Sequence, residues 1–383
     1  MRAAIVGGGI AGLAAALALA REGAQVVLFE RAPVPSPIGS GLLLQPPGLA
    51  VLRDFGLDGL ALARGARITA LDGRTKRGRT VLALAYSDWE AGAFGLGMHR
   101  GTLWRMLLEA GAAAGVEMRA GVDIQPGDPR LEGFDLHVHA GGSRSALRAC
   151  LACGDGTRPY AWGAWYATVP APPGWDVTRL AQRFEGTTRM MGILPIGRDP
   201  DGDAPWLAMF WSERLDRMQA VRDAGWSAWT REVVSLWPEA ADVVAPLRGF
   251  DDLLVAAYAD VRVRRWSSDR GVIVGDMAHG TSPQLGQGAT LALLDARALA
   301  ECLRSLPVGE ALRAFARGRR AHVAYYQWAS RVLTPLFQSD GVMLGRLRDG
   351  LMAPISRLPG VHREFLATLT GHKAGVLFGR LRT

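Results

Sequence analysis

Residues 1–31 constrain this chain more than any other stretch, because they read as strand, glycine turn, helix and second strand in unbroken succession. Met1 to Val6 is a short apolar strand, and Gly7-Gly8-Gly9-Ile10-Ala11-Gly12 follows it directly as G-x-G-x-x-G. Ala11 to Arg21 is almost wholly Ala and Leu, strong helix formers; Gln25 to Phe29 is a Val-rich strand closed by Glu30. Each part has a physical reason. Gly7 permits the tight turn, Gly9 lets a pyrophosphate approach the backbone, and Gly12 lets helix and strand pack closely. The helix opened by Ile10 and Ala11 offers free N–H groups and about half a positive charge to phosphates. Glu30 sits near the ~20-residue separation expected of a carboxylate that accepts ribose hydroxyls, which favours an unphosphorylated ribose, as in FAD or NAD. Two alternatives stand beside this reading. One is an ordinary strand-turn-helix with no ligand; the other, a secretory signal starting at Arg2, is opposed by the three glycines and the second strand.

The 383 residues are enough for two lobes, each with its own core. No apolar stretch reaches the ~18 residues needed to cross a bilayer, so no stable membrane insertion is expected. The +8 net charge comes from 44 Lys and Arg, nearly all Arg, spread along the chain. Without a basic block and interleaved aromatics, a nucleic-acid partner is not expected. Three cysteines point to a reducing cytoplasm. Cys150 and Cys153 have C-x-x-C spacing, but no second pair or nearby histidine completes a zinc site.

Further along, a proline-rich loop (Arg31 to Pro37) precedes Gly39-Ser40-Gly41. A short helix is expected over Leu49 to Phe55, and strands between Arg67 and Trp89, at Val116 to Ala120 and at Phe134 to His139. His99-Arg100 opens a helix through Leu103 to Ala114. Three extended segments, Tyr160 to Val169, Ala181 to Ile196 and Trp206 to Trp211, are expected to make one sheet. Trp162, Trp165, Trp206 and Trp211 in this region read as core, or as the lining of an apolar substrate cavity. Helices are expected at Ser212 to Ala220, Ala228 to Leu236, Glu239 to Val244, Thr290 to Leu303 and Gly309 to Gln327. The Leu-, Met- and Arg-rich tail from Arg331 reads as helices packed on the first lobe, or as a surface touching a membrane.

The second constellation is more specific. Gly275-Asp276-Met277-Ala278-His279 ends a buried strand, then come Pro283, Gly286-Gln287-Gly288-Ala289 and a helix. A carboxylate so placed can bond a polyol hydroxyl, and the glycines bring a helix N-terminus against a planar ring. Together with the first turn this resembles the FAD-dependent monooxygenases of the single-component aromatic-hydroxylase group, over most of the chain. The resemblance implies an α/β fold, with a Rossmann-like FAD-binding domain (1–73, 97–157 and 266–331), an interleaved β-sheet substrate domain (74–96 and 158–265) and a C-terminal helical segment (332–383). It implies that Gly7, Gly9 and Gly12 hold the FAD pyrophosphate, Glu30 the adenosine ribose, and that Arg31 lies beside the adenine. Arg100 would reach the flavin phosphates or ribityl chain, and Asp276 the ribityl and phosphate region. Pro283 and Gly286 to Ala289 would line the isoalloxazine, His279 would brace the loop, and Gly41 and Val122 complete the expected cofactor contacts.

The reaction the resemblance implies starts with reduction of FAD by a transient NAD(P)H. O2 then adds to the ring, and the flavin hydroperoxide transfers one oxygen atom to an apolar or aromatic, or polyketide-like, small molecule. A monomer or homodimer in the cytoplasm is expected. One departure stands out. The family's Gly-Ala-Asp-Gly-x-x-Ser-x-x-Arg signature falls on His139 to Arg148, with Gly141 where the aspartate belongs. The Asp-Gly pair in Cys153-Gly154-Asp155-Gly156 reads as a turn. The departure predicts that FAD binds but is reduced slowly by NAD(P)H, or from another source, unless a neighbouring group substitutes. It also supports an oxidase, dehydrogenase or cyclisation catalyst without oxygen transfer. A flavin-binding sensor without turnover is a third reading, and the absence of a Trp-x-Trp-x-Ile-Pro run speaks against a halogenase. No catalytic side chain is assigned; His99, Tyr166 and Tyr258 are cavity candidates with structural alternatives, and Gln45 faces either the ring or its own loop.

Overall fold

A computed structural model describes residues 1–36, 39–151, 156–198, 202–375 and 379–381. Cys153, Gly154 and Asp155 of the Asp-Gly alternative, and Pro37 of the proline loop, lie outside them.

A parallel five-stranded sheet is built from β1 (Arg2–Val6), β2 (Gln25–Glu30), β8 (Glu117–Ala120), β9 (Leu136–His139) and β15 (Gly271–Ile273), in the order β15-β9-β1-β2-β8. Buried on both faces, its central strands carry unbroken apolar runs rather than alternation; Ala3, Ala4 and Ile5 are fully buried. Helix α1 (Ile10–Arg21) crosses from β1 to β2 and packs on α4 (Arg100–Ala113) and α9 (Gly288–Ser305). Helices α2 (Pro46–Asp54) and α3 (Asp58–Arg64) add Val51, Leu52 and Ala61 to this lobe's core, and α2 packs on α9.

The second sheet has seven strands in the order β14-β10-β13-β12-β11-β5-β6. They are β5 (Ala70–Thr75), β6 (Thr80–Ala85), β10 (Thr157–Pro170), β11 (Arg179–Glu185), β12 (Arg189–Arg198), β13 (Pro205–Arg214) and β14 (Leu254–Val261). The extended segment expected over Ala181 to Ile196 is therefore two strands, antiparallel and turned at Gly186. The helix expected from Ser212 starts later: β13 runs to Arg214, and α5 covers Met218–Ala224. Pairing with β10 carries the strand through the polar Ser212-Glu213-Arg214, a tertiary effect that local pattern does not show.

Alternation sorts this sheet's residues onto two faces. Trp165, Ala167, Met209 and Trp211 face α5, α6 (Trp226–Leu236) and α7 (Ala241–Val244), and form one core with Trp229 and Phe250. Trp165 and Trp211 meet Trp229 edge-on at ring-centroid distances of 6.4 and 6.0 Å. These indoles are core, turned away from the other lobe. The opposite face meets a small antiparallel sheet of β3 (Gly41–Leu44), β7 (Gly95–His99) and β4 (Ala66–Ile68). Contact there is backbone-close, since a Cβ on Gly97 would lie 1.9 Å from the Pro195 carbonyl oxygen.

Beyond β15, α8 (Asp276–His279) is a single turn before α9. Helix α10 (Val308–Phe337) outruns its expected end at Gln327 by ten residues. The buried stripe there turns polar, which hides the apolar period: Ser330 and Thr334 both hydrogen-bond Ser282, at 2.8 and 2.7 Å. The tail forms α11 (Val342–Ser356) and α12 (Pro359–Leu369). Contrary to expectation, α11 packs on β6, and Met352 joins Val81, Phe184 and Phe337 in a core belonging to the second sheet. Met343, Leu347, Leu351 and Ile355 stay exposed on its outer side. No helix among the described residues is long and apolar enough to cross a membrane.

His139, at the end of β9, is 2% exposed, and burial with His137 nearby pushes its pKa down to about 4. His322 in α10 is pushed down to about 3 by burial and by Arg319. Both fold neutral, while the unfolded chain protonates them below pH 6.5. Stability is therefore unaffected above pH 6.5 and falls below it, by about 2 kcal/mol per histidine on reaching pH 5. Urea titrations across that window check this, with His139→Leu expected to remove its own share of the slope.

Candidate functional site

The first glycine turn is built by close approach. Gly7 has φ +110°, and a Cβ there would lie 2.6 Å from the Ala140 carbonyl oxygen. At Gly12 a Cβ would sit 1.9 Å from the Gly7 carbonyl oxygen, so only glycine closes this helix–strand contact. Gly9 differs: nothing lies within 4 Å of its Cβ position, and it leads into an α1 first turn that no side chain caps. Ile10 is buried beneath that turn and Ala11 half-buried on it. Free N–H groups and open space therefore coincide, the requirement for a bound phosphate.

Glu30 ends β2 with its carboxylate fixed by backbone donors, Gly8 N at 2.6 Å and Ala32 N at 2.9 Å. Val122 N bonds the Glu30 carbonyl at 2.9 Å, and Arg31 is exposed beside it. The exposed Arg100 opens α4; a Cβ on Gly39, where φ is +115°, would reach within 2.9 Å of its Cδ. His99 caps this helix through Nδ1, which accepts from Gly101 N at 3.1 Å. Trp104, one turn on, donates Nε1 to the Gly8 carbonyl at 2.7 Å and so ties α4 to the glycine turn. Gly41 faces Ala208 and Ile196 of the large sheet, with a Cβ position 2.5 and 2.6 Å from them.

The second turn lands on the first. Gly275 has φ +62°, and a Cβ there would lie 2.6 Å from the Ala11 Cβ. Asp276 follows, exposed, and a Cβ on Gly288 at the start of α9 would stand 4.0 Å from its Oδ1. Pro283 starts a short turn that ends at Gly286 in the left-handed region, φ +61°, with open space beside it. No side chain caps α9. Gln287 is buried with its Nε2 donating to the Leu369 carbonyl at 3.0 Å, and Ala289 packs partly buried against the core. Gln45 is buried as the residue before α2, and its Oε1 accepts from Tyr86 Oη at 2.7 Å.

His279 braces this loop, as expected. Its Nε2 meets Asp295 Oδ2 at 2.6 Å, and the same oxygen accepts from Gly275 N at 3.0 Å. Asp295 Oδ1 accepts from Arg319 Nε at 2.8 Å. Asp295 is fully buried, which raises its pKa, but the cationic and hydrogen-bonding neighbours outweigh burial and hold the carboxyl well below the usual range. The sequence reading missed Trp104, Asp295, Arg319 and His322. An acid inside the apolar run Thr290 to Ala296 was the one available signal, because a buried carboxylate requires partners.

Comparison with known proteins agrees with this geometry. The FAD binding domain family matches residues 1–162 and 182–322. The chain belongs to the FAD-dependent, aromatic-hydroxylase-like monooxygenases. Among the relatives of this flavoprotein is aurachin C monooxygenase/isomerase of Stigmatella aurantiaca, 28% identical, with 78% of this chain and 79% of the relative covered. The 3-hydroxybenzoate 6-hydroxylase of Klebsiella oxytoca is also 28% identical, covering 89% and 90%. Klebsiella pneumoniae HpxO, solved with FAD and uric acid, superposes with a TM-score of 0.79 at 19% identity, covering 97% of each chain. The flavoprotein's own residues fit FAD: α1 and α9 both start uncapped after glycine-containing turns, Gly275 closes on Ala11 in the first turn of α1, and Asp276 next to it stands beside Gly288 at the start of α9.

Proposed function

We propose that this flavoprotein inserts one oxygen atom from O2 into an aromatic or polyketide-like small molecule, with NAD(P)H as the transient reductant. The observation that carries the reading is the contact of Gly275 with Ala11, which sets Asp276 and the start of α9 beside the first glycine turn. Bound FAD, once reduced, supplies the activation of O2. In this reading Gly7, Gly9 and Gly12 with the α1 N-terminus hold the pyrophosphate, and Glu30 the adenosine ribose. Val122 fixes Glu30 through its carbonyl, Arg31 flanks the adenine, and Arg100 and Asp276 reach the phosphate and ribityl region. Pro283, Gly286, Gln287, Gly288 and Ala289 shape the ring's surroundings, where the α9 dipole favours developing negative charge.

The large sheet supports a place for the substrate in this reading. Ser40, next to Gly41, is bonded by Thr168 Oγ1 at 3.1 Å, so the face bearing Thr168 turns toward the flavin loops. On that face Tyr166 and Tyr258 share a hydroxyl–hydroxyl hydrogen bond of 2.8 Å beside Phe210. One hydroxyl accepts from the other, which leaves one O–H to orient an oxygen atom of an arene. Further along the same face, β12 packs against the small sheet. The domain division 1–73, 97–157 and 266–331, 74–96 and 158–265, and 332–383 belongs to this reading, although β5, β7, β10 and α10 each run across one of its cuts. So do a monomer or homodimer and a cytoplasmic site, the latter supported by the low cysteine count.

A second reading, turnover without oxygen transfer, rests on Gly141. A Cβ there would lie 2.5 Å from Ser145 Oγ, so Ser145 occupies the start of the missing aspartate's path. Substrate-stimulated NAD(P)H consumption with isotopically labelled oxygen in the product supports the first reading; unlabelled product selects the second. We expect slow reduction in either case, with flavin bleaching by NADPH or NADH roughly tenfold or more below that of a relative carrying the aspartate, a loss of about 1.4 kcal/mol at the transition state. Stopped-flow bleaching as fast as in such a relative removes the role given to Gly141.

A further inference from the structure

The C-terminal turn Thr368–Gly371 lies outside the residues matched by the FAD binding domain family, which end at 322. It nevertheless reaches both loops of the second constellation, the one assigned above to the flavin ring and the one assigned to the phosphate and ribityl region, by two routes. The first is direct: Gln287, the residue before α9, donates Nε2 to the Thr368 and Leu369 carbonyls at 3.3 and 3.0 Å. The second is a buried relay. The Gly371 carbonyl meets His322 Nε2 at 3.2 Å, and His322 Nδ1 meets Arg319 Nη1 at 2.8 Å. Arg319 Nε donates to Asp295 at 2.8 Å, and Asp295 holds the Gly275 amide at 3.0 Å, one residue before Asp276.

The direction of this relay follows from chemistry. A guanidinium only donates, so His322 Nδ1 is an acceptor, its Nε2 carries the proton, and that proton goes to the Gly371 carbonyl. His322, Arg319 and Asp295 are each at most 5% exposed, so no water replaces a lost partner. The turn itself is pinned from α10, where Tyr326 Oη donates to the Thr368 carbonyl at 3.1 Å and Tyr325 Oη bonds Thr368 Oγ1 at 2.5 Å. Space is tight as well: at Gly371, φ +83°, a Cβ would stand 3.3 Å from each of Gln287 Oε1, Gln45 Cβ and Pro47 Cδ.

We propose that the turn Thr368–Gly371 is a positioning element for FAD, setting the Gln287 side chain directly and the Gly275 amide through His322, Arg319 and Asp295. This rests on the reading that those loops hold FAD. Tail and cofactor are then coupled, and coupling is reciprocal: whatever orders the tail tightens FAD, and FAD orders the tail.

Two measurements on the full chain test it. Apoprotein is titrated with FAD by flavin fluorescence, for wild type, His322→Leu and His322→Gln. Leucine removes both relay contacts, whereas glutamine offers one acceptor and one donor. His322→Leu is expected to bind FAD roughly tenfold more weakly, the effect of one buried hydrogen bond to a charged group, and His322→Gln to lie within about threefold of wild type. Equal affinity for wild type and a folded His322→Leu, or no recovery with glutamine, overturns the proposal. Amide hydrogen exchange of wild type with and without FAD covers the case in which the leucine variant does not fold. Slower exchange of residues 367–373 with FAD bound supports the coupling, and unchanged exchange refutes it. Wild-type apoprotein that takes up no FAD sinks the flavin reading itself, and is told apart from the other outcomes by the first titration.

Discussion

Gly12→Val is expected to leave the chain without FAD. The Cβ position at Gly12 is 1.9 Å from the Gly7 carbonyl oxygen, a distance that no rotamer change relieves because both atoms belong to the backbone frame. The helix must move off β1, and the N–H groups at its start move with it. Since phosphate binding depends on those groups converging at one point, we expect FAD affinity to fall roughly 100-fold or more. The measurement is bound flavin per chain after gel filtration, with the thermal midpoint recorded beside it. A folded Gly12→Val chain that carries wild-type flavin would contradict the role given to this turn.

Asp295→Asn is expected to be the most destabilising single exchange in the second constellation. It leaves Arg319, 5% exposed, as a buried cation facing a neutral amide, and one amide oxygen cannot serve Arg319, His279 and Gly275 together. Breaking a buried charge pair from one side costs about 3–5 kcal/mol. Removing both charges is a different case. Asp295→Leu with Arg319→Met replaces the pair by apolar groups, and we expect the double variant to recover most of that stability. Denaturant midpoints of the two variants separate the effects: a double variant no more stable than Asp295→Asn contradicts the account. Acid acts on the same group. Its carboxyl is held below the ordinary value, so its stabilisation is present above the unfolded pKa of 3.8 and disappears as pH falls through the depressed folded one.

What was legible in the sequence was whatever local pattern dictates. The first βαβ unit could be read because glycine spacing, helix propensity and an acid at the strand end all agree, and the structure places them in one parallel sheet with Glu30 on Gly8. The turn at Gly275 was legible from its own residues. Its landing place on Ala11 was not, since nothing local says which helix a left-handed glycine will touch. The tryptophans of β10 and β13 read as core or as cavity lining; Trp165 and Trp211 are core, and which face was core depended on α5 to α7 lying across it. The polar relay escaped notice for a related reason: Asp295, Arg319 and His322 look like ordinary helix residues until packing removes them from water. The tail was only partly placed, because an amphipathic stripe fits any apolar surface: α11 meets β6 of the second sheet, whereas the turn at the end of α12 meets α10 and Gln287 of the first lobe.

The central claim is that two glycine turns far apart in sequence hold one FAD. Titration of the apoprotein with FAD, repeated on a Gly9→Val chain and a Gly288→Val chain, tests it most directly. We predict saturation at one flavin per chain for wild type, and a loss of that single binding event in each variant. Saturating binding that survives either substitution, or wild-type protein that stays colourless in excess FAD, would contradict it.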